Sequence, residues 1–249
     1  MKINVLLSPN NVDDLYFNGK TTVVIDVLRA TSVILKALDS GAREIIPVGS
    51  IDFAMKISIH AHGGHTLLCG ERNTKIIEGF DLGNSPLEYT EERINGKSII
   101  LFTTNGSKAI VKAKYSEKLL VASFNNLSKI AEHLINLRND VEIISSGANG
   151  IFCLEDTICA GALVKKMRKM NSDIELTDAT NASLVLNEKY GSNIKKMMQN
   201  CQHGKLLMEN GFEEDIDFCS TMDNIPKIPY YTGGEIKLLV EESKPNENA

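Results

Sequence analysis

No apolar run in this 249-residue chain approaches the ~20 residues that a membrane span requires. The opening Met1-Lys2-Ile3-Asn4-Val5-Leu6-Leu7 is too short for a signal-peptide core and reads as a first strand. Cys69, Cys153, Cys159, Cys201 and Cys219 form no CxxC pair, which removes the zinc-knuckle pattern. An odd number of cysteines at irregular spacing does not make a disulfide framework either. Reduced thiols in a soluble, cytoplasmic protein are the simplest expectation. Positive charge is also in short supply. With 27 Lys and Arg against 32 Asp and Glu, the net charge is -5, which argues against a nucleic-acid or membrane-surface protein, although local cations would still be needed to hold an anion. Walker A and GxGxxG loops are missing. So are the Cys–Arg loop of tyrosine phosphatases, the Arg-His-Gly triplet of histidine phosphatases and the Gly-x-Ser-x-Gly elbow.

What the chain does have is an alternation of short β-branched runs with helix-period segments, the pattern of an α/β fold with a largely parallel sheet. Strands are predicted at Ile3–Leu7, Thr22–Val27, Glu44–Val48, Thr66–Cys69, Ser98–Thr103, Lys118–Ala122 and Val141–Ser145. Helices are predicted over 31–40, ahead of His60, and over 126–138 and 154–170. Another should begin at Ser85-Pro86-Leu87-Glu88, where a capping box carries proline at the first helical position. After Asp173 helical segments follow closely (178–190, 192–200, 203–210). A β segment at 227–231 and a strand at 236–240 then return the chain to a sheet. Residues 1–240 form one domain in this reading, with a candidate subdomain seam near 140–150 around a shared cleft. The polar tail 241–249 is expected to fray.

Polar residues cluster where strands end, which is where open α/β sheets bind ligands. Asp26, at the end of a buried strand, can bind a metal or act as acid, base or nucleophile, and Arg29 can grip an oxyanion. An Asp–Arg ion pair with Thr31 as helix cap explains the same residues equally well. A haloacid-dehalogenase mechanism needs a second Asp two residues on, where Leu28 stands. Thr103-Thr104-Asn105-Gly106-Ser107 can cradle an anion with backbone N–H groups and hydroxyls, or can be an ordinary strand–turn–helix junction. Glu71 and Arg72 follow a strand directly. Asn84 and Ser85 close the compact loop 79–86. Glu155 and Asp156 open a helix, where the dipole favours them and where carboxylates can also hold Mg²⁺. The histidines at 60, 62 and 65 could bind a metal, but a solvated turn is several times the better reading. Gly211-Phe212-Glu213-Glu214-Asp215-Ile216 reads as a solvated helix start that could border the cleft.

In order along residues 3–240, the segments 24–32, 70–72, 79–86, 103–107, Glu155-Asp156 with Ala160-Gly161, and 211–216 resemble the 2-phosphosulfolactate phosphatase family, associated with the sulfonate route to coenzyme M. The resemblance implies a three-layer α/β/α architecture with a mostly parallel or mixed sheet. It also implies a Mg²⁺-dependent phosphate-monoester hydrolase acting on a small, highly anionic phosphorylated acid. In that reading Asp26, Arg29, Glu71 and Arg72 are catalytic, and Thr31, Asn84, Ser85, Thr104, Asn105, Gly106 and Ser107 bind phosphate or substrate. Asp26, Glu155 and Asp156 hold the metal. Alternatives are a phosphatase of another phosphorylated 2-hydroxy acid, or a non-catalytic sensor of a phosphorylated metabolite. Neither nucleic acid nor membrane is an expected partner, whereas the methionines and the helical region 178–210 offer a surface for a homo-oligomer.

Overall fold

The computed structural model describes residues 1–60 and 65–240. Most of the histidine-rich stretch, and with it the metal-or-turn question, lies outside the described residues, as does the tail 241–249 expected to fray. The strands are β1 (Lys2–Leu6), β2 (Thr21–Ile25), β3 (Glu44–Val48), β4 (Thr66–Arg72), β5 (Lys75–Ile76), β6 (Ser98–Phe102), β7 (Lys118–Ala122), β8 (Val141–Ser145), β9 (Glu175–Leu176), β10 (Pro229–Thr232) and β11 (Glu235–Leu238). The helices are α1 (Ala30–Asp39), α2 (Ile51–His60), α3 (Glu91–Ile94), α4 (Gly106–Lys112), α5 (Leu127–Leu137), α6 (Leu154–Met170), α7 (Asp178–Tyr190), α8 (Ile194–Asn200), α9 (Gln202–Glu209) and α10 (Glu213–Cys219). This is the expected α/β protein, three-layered, with a mixed sheet.

Every residue of β2 is buried, as a central strand covered on both faces requires. Strict alternation divides its side chains between two cores. Val23 and Ile25 join Leu120, Ala122, Ile143 and the helices α5 and α6 in one cluster. Val24, with Leu119, Val121 and Ile144, packs under α1 and α4 in the other. A smaller cluster beneath α2 holds Val48, Ile100 and Phe102. Each fully buried aliphatic side chain contributes about 1.5–3 kcal/mol relative to exposure, so the site loops are anchored to the best-packed strands.

The eleven strands run in the order β5-β4-β6-β3-β11-β10-β7-β2-β8-β1-β9. Two parallel blocks, β4-β6-β3 and β7-β2-β8-β1-β9, flank the antiparallel hairpin β10–β11. The hairpin pairs antiparallel with β7 on one side and β3 on the other, so the blocks run in opposite senses. Strand twist of about 20–25° per step rotates β6 by roughly 100–125° relative to β2 over the five steps between them. The loops that follow β2 and β6 nevertheless meet, with Gly106 packed against Asp26 and Ala30. Residues 141–145, within the stretch of the candidate seam, form β8, a strand paired on both sides.

The capping box at Ser85 forms as predicted, with the Ser85 hydroxyl accepting the Leu87 N–H, but it starts only the 3₁₀ turn Pro86–Glu88. Tyr89 then turns fully inward, its hydroxyl donating to the Gly83 carbonyl at 2.7 Å. Burial of that ring ends the turn before a helix can propagate, and α3 starts afresh after Thr90.

Candidate active site

Asp26 follows the last residue of β2 and is 6% exposed. The Thr31 hydroxyl donates to its carbonyl at 2.8 Å, and the Ala30 N–H donates to Oδ1 at 3.2 Å. Its Oδ2 lies against Gly106. A Cβ on Gly106 would stand 2.6 Å from that oxygen and 2.5 Å from the Ala30 Cβ, so α4 can meet the Asp26 loop only through a glycine. Gly70 plays the corresponding part at φ +145, where a Cβ would stand 1.9 Å from the Phe102 carbonyl oxygen. That close approach of β4 to β6 carries Glu71 to the next loop. Its Oε1 accepts the Thr104 N–H at 2.7 Å and its Oε2 the Thr74 N–H at 2.9 Å.

Glu155 and Asp156 occupy the first turn of α6, both buried. Asp156 accepts the Val27 N–H at 2.9 Å and the Gly147 N–H at 3.1 Å, clasping the ends of β2 and β8. Glu155 lies 3.6 Å from His203 Nδ1. Burial lifts the Asp26 carboxyl to about 6, with Glu71 and Glu155 adding to the rise and His203 opposing it. Burial, then the charges of Asp26 and Glu155, push Asp156 well above the usual carboxylate range. For Glu155 burial acts upward too, but the His203 hydrogen bond and charge outweigh it and hold the carboxyl low. His203 shifts upward: burial disfavours its charge, and Glu155 and Asp26 overcome that.

Arg29 is 2% exposed. Its Nη1 pairs with Asp215 Oδ2, Nη2 donates to the Thr74 carbonyl at 3.0 Å, and its guanidinium lies 4.2 Å from the centre of the Phe212 ring. Ser85 donates to the other oxygen of Asp215. Asn84 is buried beside Ser85 with its Oδ1 unpartnered among the described residues. Thr31 and Ser107 are fully buried and committed to the backbone: Ser107 donates to the Val48 carbonyl at 2.8 Å and accepts from the Thr103 N–H. The Thr104 N–H goes to Glu71 and that of Ser107 to Thr103 Oγ1, which commits both edges of the loop to the protein. Arg72 points to solvent. The structure thus gathers Asp26, Glu71, Glu155 and Asp156 into one electrostatic group, with Arg29, Asn84 and Ser85 around Asp215 beside it.

The sequence model of a protein family described as 2-phosphosulpholactate phosphatase matches residues 6–234. The chain belongs to this family. A protein of Clostridium acetobutylicum named as a probable 2-phosphosulfolactate phosphatase is 39% identical over 237 residues, covering 95% of this chain and 100% of that protein. Similar proteins with the same name occur in Caldanaerobacter subterraneus (39% identity, 92% of this chain and 94% of that one) and in Thermotoga petrophila (42% identity, 86% and 90%).

Among the described residues, this 2-phosphosulfolactate phosphatase family member places five carboxylates, counting Asp215, in a buried region whose guanidinium, that of Arg29, is already paired. Among the described residues no three His, Cys, Asp or Glu side chains stand close enough to form a metal-holding group by themselves. The donor set still suits Mg²⁺, which takes oxygen ligands, keeps several waters and uses only one or two carboxylates alongside substrate phosphate. The Ser145 and Ser146 hydroxyls, buried and unpartnered among the described residues, sit at the end of β8 next to this region.

Asp215 and His203 are the site residues that the sequence reading missed as such. Asp215 lies on the buried face of α10 with Ile216 and Cys219, so the helical spacing of those apolar residues was the available signal. A lone histidine at the start of α9 carried none. No described helix is long and apolar enough to cross a membrane.

Proposed function

We propose that this chain is a Mg²⁺-dependent phosphatase that hydrolyses the phosphate monoester of 2-phosphosulfolactate to 3-sulfolactate and phosphate, serving the sulfonate route to coenzyme M in the cytoplasm. One observation carries the reading: Asp26, Glu71, Glu155 and Asp156 are buried together, and a substrate with several negative charges would be repelled from them unless a cation intervened. One or two of Asp26, Glu155 and Asp156, together with waters and substrate phosphate, would hold Mg²⁺, which when bound would neutralise phosphate oxygens and polarise a water.

The chain's own residues supply positioning, the main requirement of phosphoryl transfer. Glu71 fixes the Thr104 turn so that the Asn105 and Gly106 N–H groups and the Thr104 hydroxyl can meet phosphate oxygens. Ser85, next to Asn84 in the chain, is held by the Arg29–Asp215 pair. A carboxylate of this group, Asp26 or Glu71, orients the attacking water and takes its proton. The water oxygen bonds to phosphorus, the bond to the substrate's 2-oxygen breaks, and a proton ends on that oxygen.

The test is phosphate release from 2-phosphosulfolactate and other phosphorylated 2-hydroxy acids, with chelated protein and with Mg²⁺ restored. Release should require Mg²⁺ and fall at least about 10²-fold in Asp26→Asn. Folded protein that releases none across the panel overturns the reading; ligand-induced thermal stabilisation without turnover would mark a sensor instead.

A further inference from the structure

A cavity of about 430 Å³ opens between the end of β8 and the exposed side of α4. Its walls include Thr104, Asn105, Lys108, Lys112, Ser146 and Asn149, and none of the described residues that form them is acidic. That sets it apart from the carboxylate group next door. Lys108 and Lys112, four apart, share one face of α4. Neither makes an ion pair among the described residues. Lys108 Nζ rests 5.5 Å from the centre of the Phe102 ring, a contact that leaves its three donors free. The Ser146 hydroxyl, in a residue 1% exposed, has no partner among the described residues. Asn105 Oδ1 accepts the Asn149 N–H at 2.9 Å and joins the two rims.

The cavity adjoins Asp26 from two directions. Asn105 precedes Gly106, whose Cα packs on the Asp26 carboxylate. The Ser146 N–H donates at 2.9 Å to the carbonyl of Ile25, the residue before Asp26. A group bonded one or two carbons from a phosphate at Asp26 would therefore enter this cavity. An anion there meets two unpaired ammonium groups and a waiting hydroxyl, and meets no carboxylate.

We propose that this cavity seats the unreactive anionic end of the substrate, its sulfonate, with Lys108 and Lys112 as its countercharges and Ser146 as a donor. These residues set substrate specificity and take no part in bond breaking. The proposal rests on the phosphatase reading of the Asp26 site for the identity of the substrate.

Two measurements on the full chain test it, using Lys108→Met, Lys112→Met and the double variant, with melting temperatures to confirm folding. The first is the ratio of kcat/KM for 2-phosphosulfolactate to that for 2-phospholactate, which lacks the sulfonate. Loss of each charge-assisted contact should lower the ratio by about tenfold or more, through KM with kcat little changed. The second is calorimetric binding of 3-sulfolactate, which carries no phosphate; its Kd should weaken at least about tenfold in the double variant. If phosphate is released and the ratio survives the double substitution, the pocket assignment is wrong and the phosphatase reading stands. If nothing is hydrolysed but 3-sulfolactate binding depends on the lysines, the pocket stands and the phosphatase reading falls. A kcat loss at unchanged KM, or equal 3-sulfolactate affinity in wild type and double variant, overturns the proposal, as does a wild type that neither turns over nor binds.

Discussion

Replacing Gly106 by alanine adds one methyl group at the tightest point between α4 and the Asp26 loop. In the helix itself the change is favourable, by up to about 1 kcal/mol, because Gly106 is helical and its φ is not positive. Against that, the new Cβ would lie 2.5 Å from the Ala30 Cβ and 2.6 Å from Asp26 Oδ2. Real Cβ atoms essentially never approach that closely. Ala30 has no torsion with which to escape, so a backbone must move, and overpacking of this kind costs about 1–3 kcal/mol. The steric term wins, for a net loss near 1–2 kcal/mol. At about 2–4 °C per kcal/mol for a chain of this size, the melting temperature should fall by roughly 2–8 °C, measurable by calorimetry. Activity should suffer more than stability, because displacement approaching 1 Å at a reacting group costs about 10²-fold. Gly19→Ala is the control: at φ +70 with nothing within 4 Å of a Cβ, it bears only backbone strain, far from Asp26. Wild-type melting and wild-type turnover in Gly106→Ala would refute the reasoning.

Other expectations follow from the same contacts. Asp215→Ala leaves the buried Arg29 guanidinium unpaired and should destabilise by about 3–5 kcal/mol, read by denaturant titration; a change under about 1 kcal/mol would deny the pair its role. The Asp223 carboxyl is held below its ordinary value: burial opposes this, but Lys166 at 2.8 Å and the Ser128 hydrogen bonds outweigh it. Because its folded pKa is depressed, its contribution is full above the unfolded value near 3.8 and vanishes as pH falls through the lower folded value. With both side chains partly exposed the contribution is about 1 kcal/mol or less. The stability gap between wild type and Asp223→Asn should therefore be constant near neutrality and close in acid.

Local signals carried far along this chain. Glu44–Val48, Lys118–Ala122 and Val141–Ser145 coincide with β3, β7 and β8, and 154–170 with α6, because β-branched runs and a helix-period face need no distant partner to be recognised. The two-residue strands β5 and β9 lack any such run and exist only through their neighbours. Sheet order was illegible for the same reason: nothing in Pro229–Leu238 marks it as the hairpin that enters the middle of the sheet. At the site, Asp26, Glu71, Glu155 and Asp156 announced themselves by standing at the ends of strands or opening a helix, although β4 runs two residues past Gly70 and takes in Glu71 and Arg72. Asp215 reaches Arg29 across 186 residues, and no spacing rule reports a contact of that range.

The place of that hairpin has a consequence for how the chain assembles. β3 and β7 are the inner margins of the two parallel blocks, and both lie open until residues 229–238 arrive between them. During synthesis each block can collapse on its own helices, yet each must keep an unpaired strand margin in water until residues 229–238 have left the ribosome. Open margins of this kind recruit other chains, and pairings that close late in sequence form slowly. The hairpin is a keystone set last, and the interval before it is set is when the nascent protein most needs a chaperone.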